Sequence, residues 1–492
     1  MKTDLLSIIL AVGIASVLVK TFLASRSPLN RIPGPWYARF TDLPGAMASM
    51  SRQQVQYYHK LHQQYGPYVR VGPRNVFVSD IDSFRIIHKI GGNFLKADYY
   101  HYFGPTEAGE PPYGLFQMTD PKDHAQRRKL LGRGFTATSL RAEWEDMVRQ
   151  KVVDAIVGMK TEAASKGVVD IRRWWMCMAS DVVSKVMFGK SFDALKEGKD
   201  SQEDPWFELV QITNRSSFLA MQFPLLYNIM RYVPIINRAS MFHAHEAMMS
   251  KGDAAVQNSK AAADGDNANI FAKVRQQTEN DDSLTKLDIQ VEAGSFMIAG
   301  TDTTSNTLTY LVWAVLSRPD LQSALEDEVS ALGEGFTDSQ LEKLPLLHAV
   351  IEETLRLYGA APTPLPRIVP PGGARLGGYD IPAGTEVATQ SFTMHRDPKI
   401  FDDPERYDVE RWLPGGSCTI SPAAKAAFTP FGAGSRVCIG QHLAYMELRF
   451  GAALFFRECR GAKLDASTTP ESMEMRNLVL IEPKGKVCNI VL

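Results

Sequence analysis

The stretch FGAGSRVCIG, Phe431–Gly440, holds a single cysteine among three glycines and behind an arginine. Glycine lets the backbone turn tightly or lie close to another group. A cysteine thiolate is a soft ligand that suits iron, and it needs positive surroundings such as Arg436. The residues after Cys438 have the apolar spacing of a helix, so the cysteine lies near a helix start, where free amides and the helix dipole favour an anion. A buried structural cysteine in a glycine-rich turn is the alternative interpretation.

Composition and charge limit the class of protein. The chain has 492 residues, of which 45% are apolar, enough to bury a large core. It carries 54 basic and 55 acidic side chains without a polybasic run or an acidic tail, so we predict no nucleic-acid partner. Its five cysteines are scattered and form no Cys-x-x-Cys pair. That pattern argues against a disulfide framework and favours a reducing compartment.

The start of the chain predicts a membrane anchor. The run LLSIILAVGIASVLV, Leu5–Val19, has no charge, and the apolar character resumes with Phe22 and Leu23. About 20 helical residues, rising about 1.5 Å each, cross a hydrocarbon core of about 30 Å. A cleaved signal peptide and a buried helix are the alternatives, but the run is long and no clear small-x-small cleavage site follows it.

A proline-rich segment, RSPLNRIPGPW, follows the apolar run. Proline fixes the backbone and suits a stiff, extended spacer. We therefore predict a transmembrane anchor at residues 1–24, a proline-rich linker at residues 25–40 and a catalytic domain at residues 41–492. Arg26 and Arg31 lie just past the anchor, which favours a catalytic domain on the cytoplasmic side.

The rest of the chain predicts a mainly α protein with a minor β portion. Tyr68–Asp80 alternates around a Gly-Pro pair and is typical of a hairpin. From Asp120 to Ser317 the apolar periodicity is mostly helical, whereas Arg367–Val387 has the glycines, prolines and short apolar runs of small strands. The last segment, LVLIEPKGKVCNIVL, predicts a final hairpin.

The cysteine stretch resembles the haem-binding motif of the cytochrome P450 family, Phe-x-x-Gly-x-Arg-x-Cys-x-Gly. All five fixed positions match, at Phe431, Gly434, Arg436, Cys438 and Gly440. The resemblance implies the cytochrome P450 fold and a haem b cofactor, iron protoporphyrin IX, with Cys438 as the axial thiolate ligand of its iron. It also implies that the other four residues form the cofactor-binding loop, with Phe431 placed to shield the sulfur.

A second motif, IAGTDTTSNTL, lies within a helical pattern that runs from Lys286 to Ser317. Hydroxyl residues in the middle of an apolar helix weaken it and can bond back to the preceding turn. A solvent-facing polar face, or hydroxyls satisfied by their own helix, is the alternative. The stretch resembles the family's central-helix motif at Ala299, Gly300, Asp302 and Thr303. The resemblance implies that the first two residues border the haem, with the glycine leaving room for dioxygen, and that the acid and the alcohol are catalytic proton relays.

A third motif, EETLR, places Glu353 and Arg356 one helical turn apart. Alone this is a common surface ion pair that contributes little to stability. It resembles the family's Glu-x-x-Arg motif, which implies a third member later in the chain. In DPERYDVERW the family's usual Pro-Glu-Arg-Phe aligns with Val409–Trp412, a departure at both ends. The spacing favours Arg411, and Arg406 is the alternative register. The three side chains would form a buried structural network behind the haem.

Further basic residues match positions that contact haem carboxylates in the family. HAQRR resembles the Trp-x-x-x-Arg helix, with His124 in place of tryptophan and Arg128 as the arginine. TPLPR ends at Arg367, where a strand residue of the family contacts a carboxylate. Together with Arg436 these arginines suit two buried carboxylates, because buried charges need partners.

The resemblance implies a membrane-bound monooxygenase that inserts one oxygen atom of O2 into an apolar small molecule. No flavin or nicotinamide motif occurs in the chain, so the electrons are expected from a separate flavoprotein. By family analogy this is an NADPH-dependent reductase in the same membrane, and we expect that membrane to be the endoplasmic reticulum. Asp98–Phe116 and Ser216–Ile236 are expected to cap the substrate pocket. The chain resembles fungal enzymes of secondary-metabolite biosynthesis, and the substrate stays open.

Two other functions stay open beside this one. A haem-thiolate isomerase or dehydratase would use neither O2 nor a reductase, but the intact Thr303 and the regular cysteine loop argue against it. A non-catalytic haem binder would not need the pair Asp302 and Thr303.

Overall fold

The fold is built mostly from α-helices, with short strands at its edges. A computed structural model describes residues 7, 18–19, 21–104, 111–197, 205–233, 244–258, 260, 269–277, 284–416 and 420–492. In chain order the helices are α1 (Leu43–Met50), α2 (Gln54–Tyr65), α3 (Ile81–Ile87), α4 (Pro121–Gly132), α5 (Ala137–Lys166), α6 (Ile171–Phe188), α7 (Ala194–Glu197), α8 (Pro205–Gln222), α9 (Pro224–Tyr232), α10 (Ala244–Asn258), α11 (Ile270–Gln277), α12 (Lys286–Leu316), α13 (Pro319–Ser330), α14 (Asp338–Leu341), α15 (Pro345–Tyr358), α16 (Ser391–Met394), α17 (Pro422–Ala427) and α18 (Gln441–Glu458).

The strands form small sheets. They are β1 (Tyr68–Gly72), β2 (Asn75–Val78), β3 (Leu95–Lys96), β4 (Val169–Asp170), β5 (Leu365–Ile368), β6 (Ala374–Leu376), β7 (Tyr379–Ile381), β8 (Glu386–Thr389), β9 (Lys463–Leu464), β10 (Met475–Asn477), β11 (Ile481–Pro483) and β12 (Asn489–Val491). One sheet has the order β1-β2-β8-β5-β3, with β2 and β8 parallel and the other pairs antiparallel. The predicted mainly α fold with a minor β portion is confirmed.

Two of the three strand predictions are confirmed. Tyr68–Asp80 forms the β1–β2 hairpin, and Arg367–Val387 holds short strands. The predicted final hairpin is wrong, because β11 pairs with the preceding β10, whereas β12 lies between β4 and β9. The apolar runs of the last segment do form strands, but strand pairing is set by long-range packing that a local pattern does not contain.

The central helix α12 crosses the core. It begins with a capping box between Thr285 and Asp288 and ends at Leu316, one residue before the predicted end. It packs against α6, α10, α15 and α18. The close contact with α18 depends on a glycine, because a Cβ at Gly451 would lie 2.7 Å from Leu308 Cδ2. Every residue from Thr304 to Leu316 except Trp313 is buried, so this helix fixes the positions of its neighbours.

The proline-rich segment predicted as a linker packs on the first sheet. Leu29 and Ile32 are buried, and the Arg70 amide of β1 donates a hydrogen bond to the Pro33 carbonyl (2.8 Å). A Cβ at Gly34 would lie 2.3 Å from the Arg70 carbonyl oxygen, so glycine permits this contact. The segment is therefore held against β1.

The predicted anchor, residues 1–24, lies mostly outside the described residues. Leu18, Val19, Phe22 and Leu23 are described; they lie in helical turns and are exposed. Across the described parts of the chain, we find no helix with the length and apolar character needed to cross a bilayer. The anchor and the three domain boundaries stay predictions.

Candidate active site

The cysteine loop, residues 431–440, closes on itself through its main chain. The Cys438 amide donates a hydrogen bond to the Phe431 carbonyl (2.9 Å). Gly434 has a φ of 68°, and a Cβ there would lie 2.1 Å from the carbonyl oxygen of His88. Only glycine fits this position, because another residue would be both strained and in collision with the backbone. The loop is therefore tied to the end of α3 as well as to α18.

The sulfur of Cys438 borders an internal space. The residue is exposed, yet burial raises the pKa of its thiol, whereas the Gly440 amide and the Arg128 guanidinium lower it. A Cβ at Gly440 would meet only the Cys438 sulfur, 3.9 Å away. A group that is both accessible and surrounded by protein lies at the wall of a cavity. Here the wall consists of the Cys438 sulfur and the main chain of Gly440, which carries no side chain.

Five basic side chains gather beside this loop: Lys96, His124, Arg128, Arg367 and Arg436. Burial, followed by the charges of the other four, lowers the pKa of His124 to about 3. Burial and two of the arginines lower the pKa of Lys96 well below its usual value, and the pKa of Arg436 falls to about 10. No carboxylate of the described residues lies within ion-pair distance of these five groups. Basic groups that are buried or partly buried and have no carboxylate partner form a site for anions.

Main-chain contacts fix two of these arginines. Arg128 of α4 donates to the Val437 carbonyl in the cysteine loop (2.7 Å). Arg436 donates to the carbonyls of Met118 (2.8 Å) and Thr119 (3.2 Å), just before α4. The N-terminus of α4 is in turn capped by the Asp120 carboxylate. Helix α4 and the cysteine loop are thus locked together.

Sequence reasoning missed Lys96, which lies in β3. Its ammonium donates to the Phe116 carbonyl and lies 3.9 Å from the centre of the Tyr100 ring. A two-residue strand carries no motif that would have singled out this lysine. It adds a cation to the predicted set of three arginines and His124.

One face of the central helix is accessible although the helix crosses the core. Ala299 is exposed and Thr303 is partly exposed. These residues are four apart and lie on the same face. The Thr303 hydroxyl donates to the Ala299 carbonyl (2.7 Å). Because α18 follows the cysteine loop directly and packs against α12, the loop and this helix belong to the same part of the core.

Asp302 faces a different direction from Thr303. The pKa of the Asp302 carboxyl is raised to about 6. Burial is the largest cause, the Arg172 guanidinium of α6 opposes it, and Glu482 of β11 adds to it. Asn306 connects this turn of the helix to α6. Its side-chain amide donates to the main-chain carbonyl of Asp302 (2.8 Å) and accepts a hydrogen bond from Arg172 of α6 (3.0 Å). The carboxyl can therefore change protonation state near neutral pH.

Gly300 lies against α6. A Cβ there would lie 2.9 Å from Val183 Cγ2, so this glycine permits the close crossing of α6 and α12. Its predicted place beside dioxygen stays a prediction. The alternative for the hydroxyl cluster, satisfaction by its own helix, is confirmed for five side chains that each donate to the carbonyl four residues earlier: Thr301, Thr303, Ser305, Thr307 and Thr309.

The family model described as Cytochrome P450 matches residues 33–489 of the chain. The chain belongs to the cytochrome P450 family. It is therefore a haem-thiolate monooxygenase with haem b as its cofactor, and such enzymes use a small-molecule substrate, O2 and a redox partner. The site fits the cofactor, because it presents an accessible sulfur and a set of buried cations without a carboxylate partner of their own.

Curated relatives match most of the chain. "Cytochrome P450 monooxygenase cypX" from Dothistroma septosporum is 40% identical over 474 residues, 95% of this chain and 91% of the relative. "Cytochrome P450 monooxygenase aflV" from Aspergillus parasiticus is 39% identical over 499 residues, 98% of this chain and 96% of the relative. "Methylphloroacetophenone oxidase" from Cladonia uncialis is 32% identical over 399 residues, 78% of this chain and 86% of the relative. The predicted resemblance to fungal cytochromes P450 is confirmed.

The Glu-x-x-Arg network of this cytochrome P450 is buried and has the predicted third member. Arg356 donates two hydrogen bonds to the Glu353 carboxylate (2.8 and 2.7 Å), and Arg411 Nε lies 3.5 Å from it. Arg406, the alternative, contributes only its carbonyl to Arg356. The Trp412 indole donates to Glu353 (2.9 Å), a contact that the family's usual phenylalanine at this position could not make.

This register can be tested by two arginine substitutions. Arg411→Ala is expected to lower the free energy of unfolding by about 3 kcal/mol, because it removes one partner of a buried carboxylate. Arg406→Ala is the matched control; its side chain is exposed, so a change under about 0.5 kcal/mol is expected. Denaturant unfolding and haem content measure both. Equal losses in the two variants would show that Arg411 has no special role.

The predicted pocket caps are described in part. Residues 105–110 of the first segment and residues 234–236 of the second lie outside the described residues. Tyr99, Tyr100, Phe103 and Phe116 of the first segment form a cluster of ring contacts. In the second segment, α9 exposes the large apolar side chains of Leu225, Leu226, Ile229 and Tyr232.

Proposed function

We propose that the Cys438 thiolate would bind the haem iron and that the neighbouring basic side chains would hold the two haem carboxylates. The single observation that carries this proposal is the cluster of buried basic side chains beside an accessible sulfur. Arg128, Arg367 and Arg436 are the predicted partners of the carboxylates, and Lys96 joins them. His124 is neutral in these surroundings and can donate one N–H. Each of these groups gains an anionic partner, which offsets the cost of its burial.

The loop residues act through shape. Gly434 permits the turn beneath His88 that points the cysteine inward, and Gly440 leaves its side of the loop bare while its amide donates to the sulfur. An amide donor favours the thiolate over the thiol. Phe431 anchors the loop through its carbonyl and places an aromatic ring at its start.

We assign proton delivery to Asp302 and Thr303. When bound, the haem supplies oxygen activation and transfer of an oxygen atom to the substrate. Thr303 holds its hydroxyl on the open face of the central helix beside Ala299. Asp302, with its pKa raised to about 6, can take up and release protons near neutral pH, as a general acid must.

For the substrate we propose a phenolic aromatic compound of secondary metabolism. The relative named for methylphloroacetophenone, a phenolic ketone, supports this class. The aromatic side chains that contact one another around Tyr100 and Phe116 also suit a flat ring, because aromatic pairs stack or pack edge to face. An NADPH-dependent flavoprotein reductase is the proposed electron donor, since the chain contains no flavin or nicotinamide motif.

Labelled dioxygen separates this function from its alternatives. The holoenzyme with reductase, NADPH and methylphloroacetophenone is expected to form a product that carries one oxygen atom from ¹⁸O2. Mass spectrometry measures the label. An isomerase or dehydratase would give product without O2 or reductase, and a haem binder would give none with any phenol tested. A labelled product from an apolar terpene but not from phenols would contradict the substrate class alone.

We further propose that residues 1–24 anchor the protein in the endoplasmic reticulum membrane, with the catalytic domain facing the cytoplasm. The uncharged run Leu5–Val19 and the exposed apolar residues that end it support this location. Removal of residues 1–24 is expected to shift the protein from the microsomal pellet toward the carbonate-extractable fraction. Retention in the carbonate-washed pellet, at the level of the full chain, would contradict the single-pass anchor. Protease digestion of sealed microsomes tests the side of the membrane.

A further inference from the structure

A continuous set of contacts leads from the surface to the cysteine loop at the interface of α15 and α18. His348 is half exposed, and its Nδ1 lies 3.8 Å from Glu352 Oε1. The Tyr445 hydroxyl donates to the same carboxylate oxygen (2.9 Å). The Tyr445 ring packs on the Phe431 ring with centres 5.2 Å apart. The Phe431 carbonyl in turn accepts the Cys438 amide (2.9 Å).

The Glu352 carboxyl is buried, and no lysine or arginine of the described residues is paired to it. Glu352 is 6% exposed and is next to Glu353, but it takes no part in the Glu353–Arg356 network. Arg449 is the one arginine whose charge lowers the pKa of Glu352, and its guanidinium donates a hydrogen bond to Asp338 (2.9 Å). Within the described residues Glu352 has no lysine or arginine at ion-pair distance. A buried carboxyl without such a cation is costly, and it marks a candidate functional position.

We propose that Tyr445 and Glu352 are positioning residues that hold Phe431 in the cysteine loop, and that the charge on Glu352 tunes the reduction potential of the haem iron through this loop. The inference rests on the proposed function, since it requires Cys438 to bind the iron. Neither residue touches the cofactor in this account. They act through the ring of Phe431 and its main-chain hydrogen bond to Cys438.

The sign of the effect follows from electrostatics. An ionised Glu352 places a negative charge at the outer end of the contacts that lead to the cysteine loop, which disfavours adding an electron to the iron and lowers its reduction potential. A neutral Glu352 removes that charge, so the potential rises. The pKa of Glu352 is raised to about 7, because burial raises it by more than the Tyr445 hydrogen bond and the Arg449 charge lower it. The Glu352 carboxyl therefore changes its charge near neutral pH.

The groups that face Glu352 are few. His348 lies on its own helix, and Tyr445 and Arg449 lie on α18. Helices α12 and α13 and the turn Val409–Arg411 also pack against α15, but no charged group from their described residues shifts the pKa of Glu352. A pH dependence that passes through this carboxyl can thus be assigned by substitution.

Redox titration of the full-length holoenzyme at a series of pH values tests the proposal without substrate. The wild-type potential is expected to fall as pH rises through about 7. In Glu352→Gln this fall should be absent, with the potential staying near the wild-type value at low pH. Tyr445→Phe removes a donor that favours the ionised carboxyl, so the fall should move to higher pH.

Tyr407→Phe is the matched control, because the Tyr407 hydroxyl also bonds to α15, at Thr354 (2.9 Å), but has no contact with Phe431. Its titration curve is expected to match that of the wild type. A Glu352→Gln curve identical to the wild type, or equal shifts in Tyr445→Phe and Tyr407→Phe, would overturn the proposal. The reduced carbon monoxide spectrum of the same samples shows whether a negative result contradicts the proposed function or only this inference. Loss of the thiolate-type spectrum in the wild type would refute the proposed function, whereas its presence with unchanged potentials would refute this inference alone.

Discussion

Cys438→Ser is expected to abolish the thiolate-type spectrum of the reduced carbon monoxide complex and to bring product formation below detection. A serine oxygen cannot replace the electron donation of a thiolate to iron, on which oxygen–oxygen cleavage depends. The bound haem and the spectrum of its carbon monoxide complex measure the first effect. Product yield with reductase and NADPH measures the second.

The chain offers a control for this substitution. Cys459 is buried at the end of α18, the helix that begins just after the cysteine loop. Cys459→Ser makes the same chemical change at the opposite end of this helix and is expected to keep both the spectrum and the product. If Cys438→Ser kept the thiolate-type spectrum, or if both variants lost it equally, Cys438 would not be the ligand.

Thr303→Ala is expected to separate electron consumption from product formation. NADPH oxidation should continue, but the product formed per NADPH should fall by about tenfold or more, with hydrogen peroxide taking up the difference. The reason is that the Thr303 hydroxyl lies on the open face of the central helix, where it is placed to deliver protons. Parallel assays of NADPH, peroxide and product measure the partition.

Thr307→Ala is the matched control for Thr303. The Thr307 hydroxyl donates to the carbonyl four residues earlier (2.8 Å), as the Thr303 hydroxyl does, but Thr307 is buried. The Thr307→Ala variant shows how the loss of such a hydrogen bond affects the helix when no accessible hydroxyl is removed. Coupling should stay at the wild-type level in Thr307→Ala. An equal loss of coupling in both variants would assign the effect to the helix backbone and would remove Thr303 from the proton path.

Local patterns predicted the parts of the site that local geometry creates. The glycines and cysteine of residues 431–440 and the helix from Lys286 are set by spacing within one segment. Arg411 was predicted over Arg406 from its distance along the chain, and the structure places its guanidinium by Glu353. In each case the neighbours in sequence are also the neighbours in space, so a motif contains the information.

Contacts between distant segments were not predictable in this way. Lys96 joins the basic cluster because β3 pairs with β5, which carries Arg367. Glu352 and Tyr445 meet because α15 packs on α18, and no single segment shows that contact. The final hairpin was predicted wrongly for the same reason, since β12 finds its partners more than twenty and more than three hundred residues away.

The structure also gives a physical reason for one departure from the family pattern. Trp412 stands where phenylalanine is usual, and its indole donates to the buried Glu353 carboxylate. A buried carboxylate with several donors is better satisfied than one that depends on arginine alone. The sequence showed the substitution, but only the position of Glu353 shows what the added N–H does.

The central claim is that the sulfur of Cys438 binds the haem iron. X-ray absorption at the iron edge of the full-length holoenzyme tests it most directly, because the measurement reports the elements bound to the metal and needs neither substrate nor reductase. One sulfur bound to iron is expected in the wild type and in Cys459→Ser, and none in Cys438→Ser. Only nitrogen and oxygen ligands in the wild type, or a sulfur ligand that survives in Cys438→Ser, would contradict it.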